Sequence, residues 1–119
     1  MKAYLTLFFP SDVPAKIRLK KWLMKMGSEL HAGDPLFTYQ SDNHENRFST
    51  PAAGNLKVYL LREGELLGPG SEVAVLSLPQ EQAEEMRKRG LGKILNPEEY
   101  KHALEHAEAA SIRLPPEQF

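Results

Sequence analysis

The sequence predicts a mainly β fold, a small sandwich or barrel with an internal repeat, followed by a helical tail, and three observations lead there. The stretch Trp22 to Tyr39, WLMKMGSELHAGDPLFTY, returns in outline at Tyr59 to Leu76, YLLREGELLGPGSEVAVL, in a register of 37 residues. That register pairs Gly27 with Gly64, Leu30 with Leu67, Gly33 with Gly70, Leu36 with Val73 and Lys25 with Arg62, the signature of a duplicated unit. Short alternating apolar runs are separated by Gly, Pro, Asn and Asp clusters, as in all-β domains. At Pro79 the composition shifts to QEQAEEMRKRG, rich in helix formers with acids near its start.

Each element follows from its residues. Leu5, Leu7 and Phe9 alternate with Thr6 and Phe8, predicting a strand with one strongly apolar face. Pro10, Asp12 and Pro14 mark a loop. From Lys16 to Met24 the alternation sets Ile17, Leu19 and Leu23 on one face and Arg18, Lys20 and Trp22 on the other. Gly27 to Pro35 reads as a strand end, a loop and a tight turn, and Leu36 to Tyr39 starts the next strand. After Pro51-Ala52-Ala53-Gly54, Leu56, Val58 and Leu60 restart the alternation, and Val73 to Leu78 closes the sheet. A short helix after Pro79 is interrupted by Gly90 and Gly92. Asn96-Pro97-Glu98-Glu99 then supplies an N-cap, a first-turn proline and first-turn acids for a second helix to about Ala110. Its apolar stripe, Tyr100, Ala103, Leu104 and Ala107, either packs on the β-domain or docks another protein.

Composition narrows the function classes. At 119 residues there is room for one domain and a tail, about 1 to 78 and 79 to 119. Fifteen basic against sixteen acidic residues give a net charge of −1 and no general attraction to nucleic acid. Without cysteine there is no disulfide, thiolate metal site or cysteine nucleophile, which agrees with a cytoplasmic protein. The apolar run at the N-terminus lacks signal-peptide length, and no segment approaches the ~18 apolar residues of a membrane span. Lys16, Arg18, Lys20, Lys21 and Lys25 form a basic cluster that reads as a solvated outer face with edge lysines, or as a stripe for phosphate or an acidic partner. No phosphate-cradling glycine loop or nucleophile elbow is present.

The residues from Lys16 to Leu78 resemble a biotinyl/lipoyl carrier domain, the flattened barrel known as a hammerhead or barrel-sandwich hybrid. Lys21 to Leu36 is similar to that family's strand, glycine turn and Gly-Asp-x-Leu turn, and Pro51-Ala52-Ala53-Gly54 to its Pro-x-x-Gly turn. The resemblance implies two halves related by an approximate two-fold, with a prosthetic group on a lysine at the hairpin tip between them. Here the tip falls on Asp42, Asn43 and His44, and counting back from Pro51 puts Asn43 in the lysine's place. An amide nitrogen delocalised into its carbonyl is a poor nucleophile, so no covalent cofactor is expected at Asn43. Lys25 and Lys57, the nearest lysines in sequence, belong to the strand-and-turn framework. The 37-residue register carries Asn43 to near Thr6 and Pro79, so the tip and the root of the tail are expected at opposite ends.

Asp42, Asn43 and His44 are also ordinary turn residues, and His44 near Asp42 or Glu45 could instead serve as a ligand or proton-transfer group. His102 and His106, four apart on the second helix, have the spacing of two metal ligands but no adjacent third-ligand motif beyond Glu98, Glu99 or Glu105. The leading expectation is a non-catalytic interaction or scaffold protein with no cofactor and no metal. It would bind a protein partner through the tail or the hairpin tip, with a homo-oligomer also open. The alternatives are an acyl or carboxyl carrier of a dehydrogenase or carboxylase complex, modified at an unexpected residue, and a metal-binding accessory protein.

Overall fold

The computed structural model describes residues 1–10, 17–41 and 44–109, the side chains of 108 and 109 excepted. Nine strands and two helices follow one another among them: β1 Lys2–Phe8, β2 Ile17–Trp22, β3 Glu29–Leu30, β4 Pro35–Ser41, β5 His44–Ser49, β6 Gly54–Tyr59, β7 Leu66–Leu67, β8 Glu72–Pro79, α1 Gln80–Lys88, β9 Gly92–Leu95 and α2 Pro97–Ala109. They build two antiparallel sheets, ordered β3-β6-β8-β1-β9 and β5-β4-β2-β7, so the mainly β, sandwich-like class holds.

The strand orders contain the duplication. Exchanging β1–β4 with β5–β8 turns β3-β6-β8-β1 into β7-β2-β4-β5, which is the other sheet. The hydrogen bonds repeat at the same 37-residue spacing. The Gly27 amide donates to Leu56 at 2.6 Å and the Gly64 amide to Leu19 at 2.7 Å. Leu23 donates to Leu36 at 2.7 Å, and Leu60 to Val73 at 2.9 Å. Gly27 and Gly64 lie at φ 91 and 89, a left-handed conformation costly for any residue with a Cβ. The register irregularity between Leu19 and Lys21 in β2 returns between Leu56 and Val58 in β6. Trp22 and Tyr59, 37 residues apart, stack on each other with ring centroids at 4.0 Å and planes 10° apart. Each also reaches across the halves, the indole N–H donating to the Leu61 carbonyl at 3.1 Å and the phenol to that of Met24 at 2.5 Å.

That irregularity corrects one expectation. Strict alternation puts Trp22 beside Arg18 and Lys20 on a polar face, but the extra residue in β2 turns Trp22 inward. There its ring meets Phe37 at 5.0 Å, while Leu23 is left 39% exposed. Lys16 lies outside the described residues.

The inner faces of both sheets make the main core, with Leu5, Leu7, Leu19, Leu36, Leu56 and Leu76 fully buried. Ala83 and Met86 of α1 join it. The segment after α1 was expected only to interrupt two helices, yet Gly92–Leu95 is a strand paired with β1, Tyr4 opposite Leu95 and Leu7 opposite Gly92. Only glycine fits there: a Cβ on Gly92 would stand 2.4 Å from the Thr6 carbonyl oxygen. The stripe on α2 closes a second cluster on the outer face of this sheet, where Ala103, Leu104 and Ala107 join Val58, Leu60, Val75 and Leu95. Tyr100 stacks on Tyr4 at 3.9 Å. The helix begins with reciprocal capping, Glu99 N–H to the Asn96 side chain at 2.8 Å and Asn96 N–H to the Glu99 carboxylate at 3.0 Å.

Candidate functional site

Two places carry the residues singled out from sequence: the β4–β5 hairpin and a cleft beside α2. The hairpin is anchored by aromatic packing. Phe37 and Phe48 sit 5.2 Å apart, and Phe9 meets Phe48 at 5.5 Å and the edge of Tyr39 at 5.1 Å. Above this base the strands run on as a ladder, Thr38 opposite Arg47, Tyr39 opposite Asn46, Gln40 opposite Glu45 and Ser41 opposite His44. Asp42 and Asn43, which join the last pair in sequence, lie outside the described residues. His44, Glu45, Asn46 and Arg47 are all exposed. His44 therefore opens an exposed edge strand, and among the described residues no wall surrounds it to position a substrate against it.

The two-fold also gives the hairpin a mate in the other half. Thr50 donates to Asp34 at 2.9 Å as Phe9 donates to Ser71 at 2.8 Å, so β5 matches β1 at a spacing of 41 residues, not 37. The pair Ser41–His44 is then the mate of Leu78–Ala3. In this register Asn43 corresponds to Lys2, not Thr6, because the connection before β2 is longer than the one before β6. Lys2 pairs with Pro79, where α1 begins, so the hairpin end and the root of the tail are two-fold mates. Neither Lys25 nor Lys57 lies at the hairpin: Lys25 is in the turn closed by Ser28, and Lys57 is within β6.

The cleft, of about 620 Å³, lies between α2, β9 and the segment around Leu60 to Leu66. Its walls include Leu60, Leu66 and Leu95, and its charged residues include Glu72 and Lys93, paired at 3.1 Å. His102 and His106 line it together with Glu99, so the sequence spacing does bring both imidazoles to one wall. Among the described residues, no group of three His, Asp or Glu side chains comes together to hold a metal ion. Sequence reading missed the cleft itself, since Lys93 and Leu95 belong to the unforeseen strand β9.

The repeat gives the two outer faces opposite chemistry. Tyr4, Thr6, Val58 and Val75 lie on one, and their mates Glu45, Arg47, Lys21 and Thr38 on the other. The first face is covered by α2 and the second is polar, the mates of β1 lying 41 residues away and those of β6 and β8 37.

No protein-family model matches the chain, and no curated protein matches it in sequence. Among solved structures it is similar to one described as a single-chain, multi-domain long-chain acyl-CoA carboxylase, with a TM-score of 0.54 and 16% identity. The likeness is one of fold. It covers 93% of this chain and 10% of the carboxylase, so the chain spans about a tenth of that protein's length. No helix among the described residues is long and apolar enough to cross a membrane.

Proposed function

We propose that the chain is a non-catalytic interaction or scaffold module, built on a lipoyl/biotinyl-like domain whose attachment lysine has been lost. The observation that carries this reading is the hairpin between the two halves of the repeat, where the sequence runs Ser41-Asp42-Asn43-His44 and contains no amine. Acyl transfer from an activated cofactor carboxylate needs a nucleophilic nitrogen, and an asparagine amide does not supply one. The paired sheets, related by exchange of β1–β4 with β5–β8, support the carrier-like architecture. Because the apolar stripe of α2 is already covered by the chain's own sheet, a partner would meet the polar hairpin.

The likeness to part of a long-chain acyl-CoA carboxylase favours a second reading, an acyl or carboxyl carrier modified at an unexpected residue. Intact mass after co-expression with lipoate and biotin ligases separates the two. The scaffold reading expects the unmodified mass for the wild-type chain and an adduct on the Asn43→Lys variant, whose tip regains the amine. An adduct on the wild-type chain supports the carrier reading and removes the scaffold one.

A further inference from the structure

The two edges that the two-fold relates are treated differently. The outer edge of β1 is covered by β9 from Tyr4 to Leu7, and in the 41-residue register these residues correspond to Glu45 to Phe48 of β5. The chain supplies no strand for that second edge among its described residues, β5 being terminal in its sheet. We propose that a second copy of this chain supplies it, β5 pairing antiparallel with β5 across a two-fold centred on Asn46.

Backbone parity and charge select this register. The Thr50 N–H and C=O bond inward, to Asp34 and Gly33 at 2.9 and 2.8 Å. Alternation along an antiparallel ladder then turns the amides of Phe48, Asn46 and His44 toward β4, and those of Glu45 and Arg47 outward. On β1 the same parity holds: Phe9 bonds inward to Ser71 at 2.8 Å, and Phe8 outward to Leu91 at 3.0 Å. By the same parity Ser49 faces outward too, so outward groups on two copies can meet with the centre at Glu45, Asn46, Arg47 or Phe48, the last pairing Arg47 with Ser49 and forming no ion pair. A centre at Glu45 sets two carboxylates opposite each other, and one at Arg47 two guanidinium groups. A centre at Asn46 sets Glu45 opposite the second copy's Arg47 and Arg47 opposite its Glu45. Two reciprocal ion pairs then flank four new backbone hydrogen bonds. Charged side chains on an edge discourage pairing where like charges meet; here the order Glu45-Asn46-Arg47 is complementary to itself when reversed. The product is a continuous eight-stranded sheet, four strands from each copy.

A single strand pair makes a small interface, so the dimer should form at about 10⁻⁵ to 10⁻³ M. The inference does not depend on the proposed function, because the edge is the same whether or not the hairpin carries a group. Sedimentation equilibrium of the full chain up to about 1 mM, at low salt, tests it. Glu45→Arg alone, or Arg47→Glu alone, places like charges opposite each other twice per dimer and should weaken association at least about tenfold. An equimolar mixture of these two variants should regain it as a heterodimer, and so should the double exchange Glu45→Arg with Arg47→Glu. Hydrogen exchange gives an independent readout: protection of the Glu45 and Arg47 amides should rise with concentration, while that of Asn46, already bonded to Tyr39, should not change. A monomer at every concentration overturns the proposal, as does association indifferent to both single exchanges or unrestored in the mixture.

Discussion

The stack of Trp22 on Tyr59 joins the two halves of the repeat, and a double-mutant cycle measures how much they depend on each other. Trp22→Leu removes the face-to-face contact at 4.0 Å, the edge contact with Phe37 at 5.0 Å and the indole bond to Leu61 at 3.1 Å. Both rings are half-buried, so the loss should fall below the 3–5 kcal/mol of a fully buried aromatic truncation, at about 2 kcal/mol. Tyr59→Leu loses the same stack and the bond to Met24, at about 1.5–2 kcal/mol. Each single variant already destroys the stack, so the double variant should cost less than the two losses added. The difference should be about 0.5–1.5 kcal/mol, the worth of an aromatic pair beyond its area. Urea unfolding followed by circular dichroism is the assay, since Trp22 is the sole tryptophan and two of the four proteins lack it. Additivity within about 0.3 kcal/mol would refute the reasoning and leave the stacked rings energetically independent.

Other outcomes follow from the same geometry. Gly92→Ala drives a Cβ to 2.4 Å from the Thr6 carbonyl and against Leu5, so β9 must shift, at a cost of about 1–3 kcal/mol; Gly68→Ala, with open space around it, should be within about 0.5 kcal/mol of wild type, both read by urea unfolding. The Arg87 guanidinium, 2.8 Å from Glu84, holds that carboxyl below its ordinary value, so NMR titration should find Glu84 ionising at lower pH than free glutamate, with Arg87→Gln moving it back up. Its sign is fixed: the pair stabilises the fold above the ordinary carboxylate range and loses that contribution as pH falls through the depressed value. Zinc titration by calorimetry should give no binding that His102→Ala abolishes, because the cleft sets two imidazoles on one wall and no group of three ligands forms among the described residues.

How much of this was legible in the sequence depends on what kind of signal each feature leaves. The duplication was legible because glycines at turns and leucines in the core recur at one spacing, and the hydrogen bonds of Gly27 and Gly64 repeat it. The turn of Trp22 into the core was not, since a bulge at Lys20 changes facing without changing composition. Strand β9 was hidden because Gly92-Lys93-Ile94-Leu95 is too short for a period, and Gly92 looks like a breaker although close packing on Thr6 requires it. The contrast between the two outer faces was concealed by the unequal connections, which shift β1 and β5 to a spacing of 41 while the rest repeats at 37. Of the sites, His102 and His106 do share a wall, but the cleft they line depends on β9 and so could not be read from helix spacing alone.

The proposed function rests on a carrier-like architecture without an amine at its hairpin, and intact mass tests that most directly. Wild-type chain co-expressed with lipoate and biotin ligases should keep the mass of its sequence, and the Asn43→Lys variant should gain one cofactor. A cofactor adduct on the wild-type chain would contradict the account.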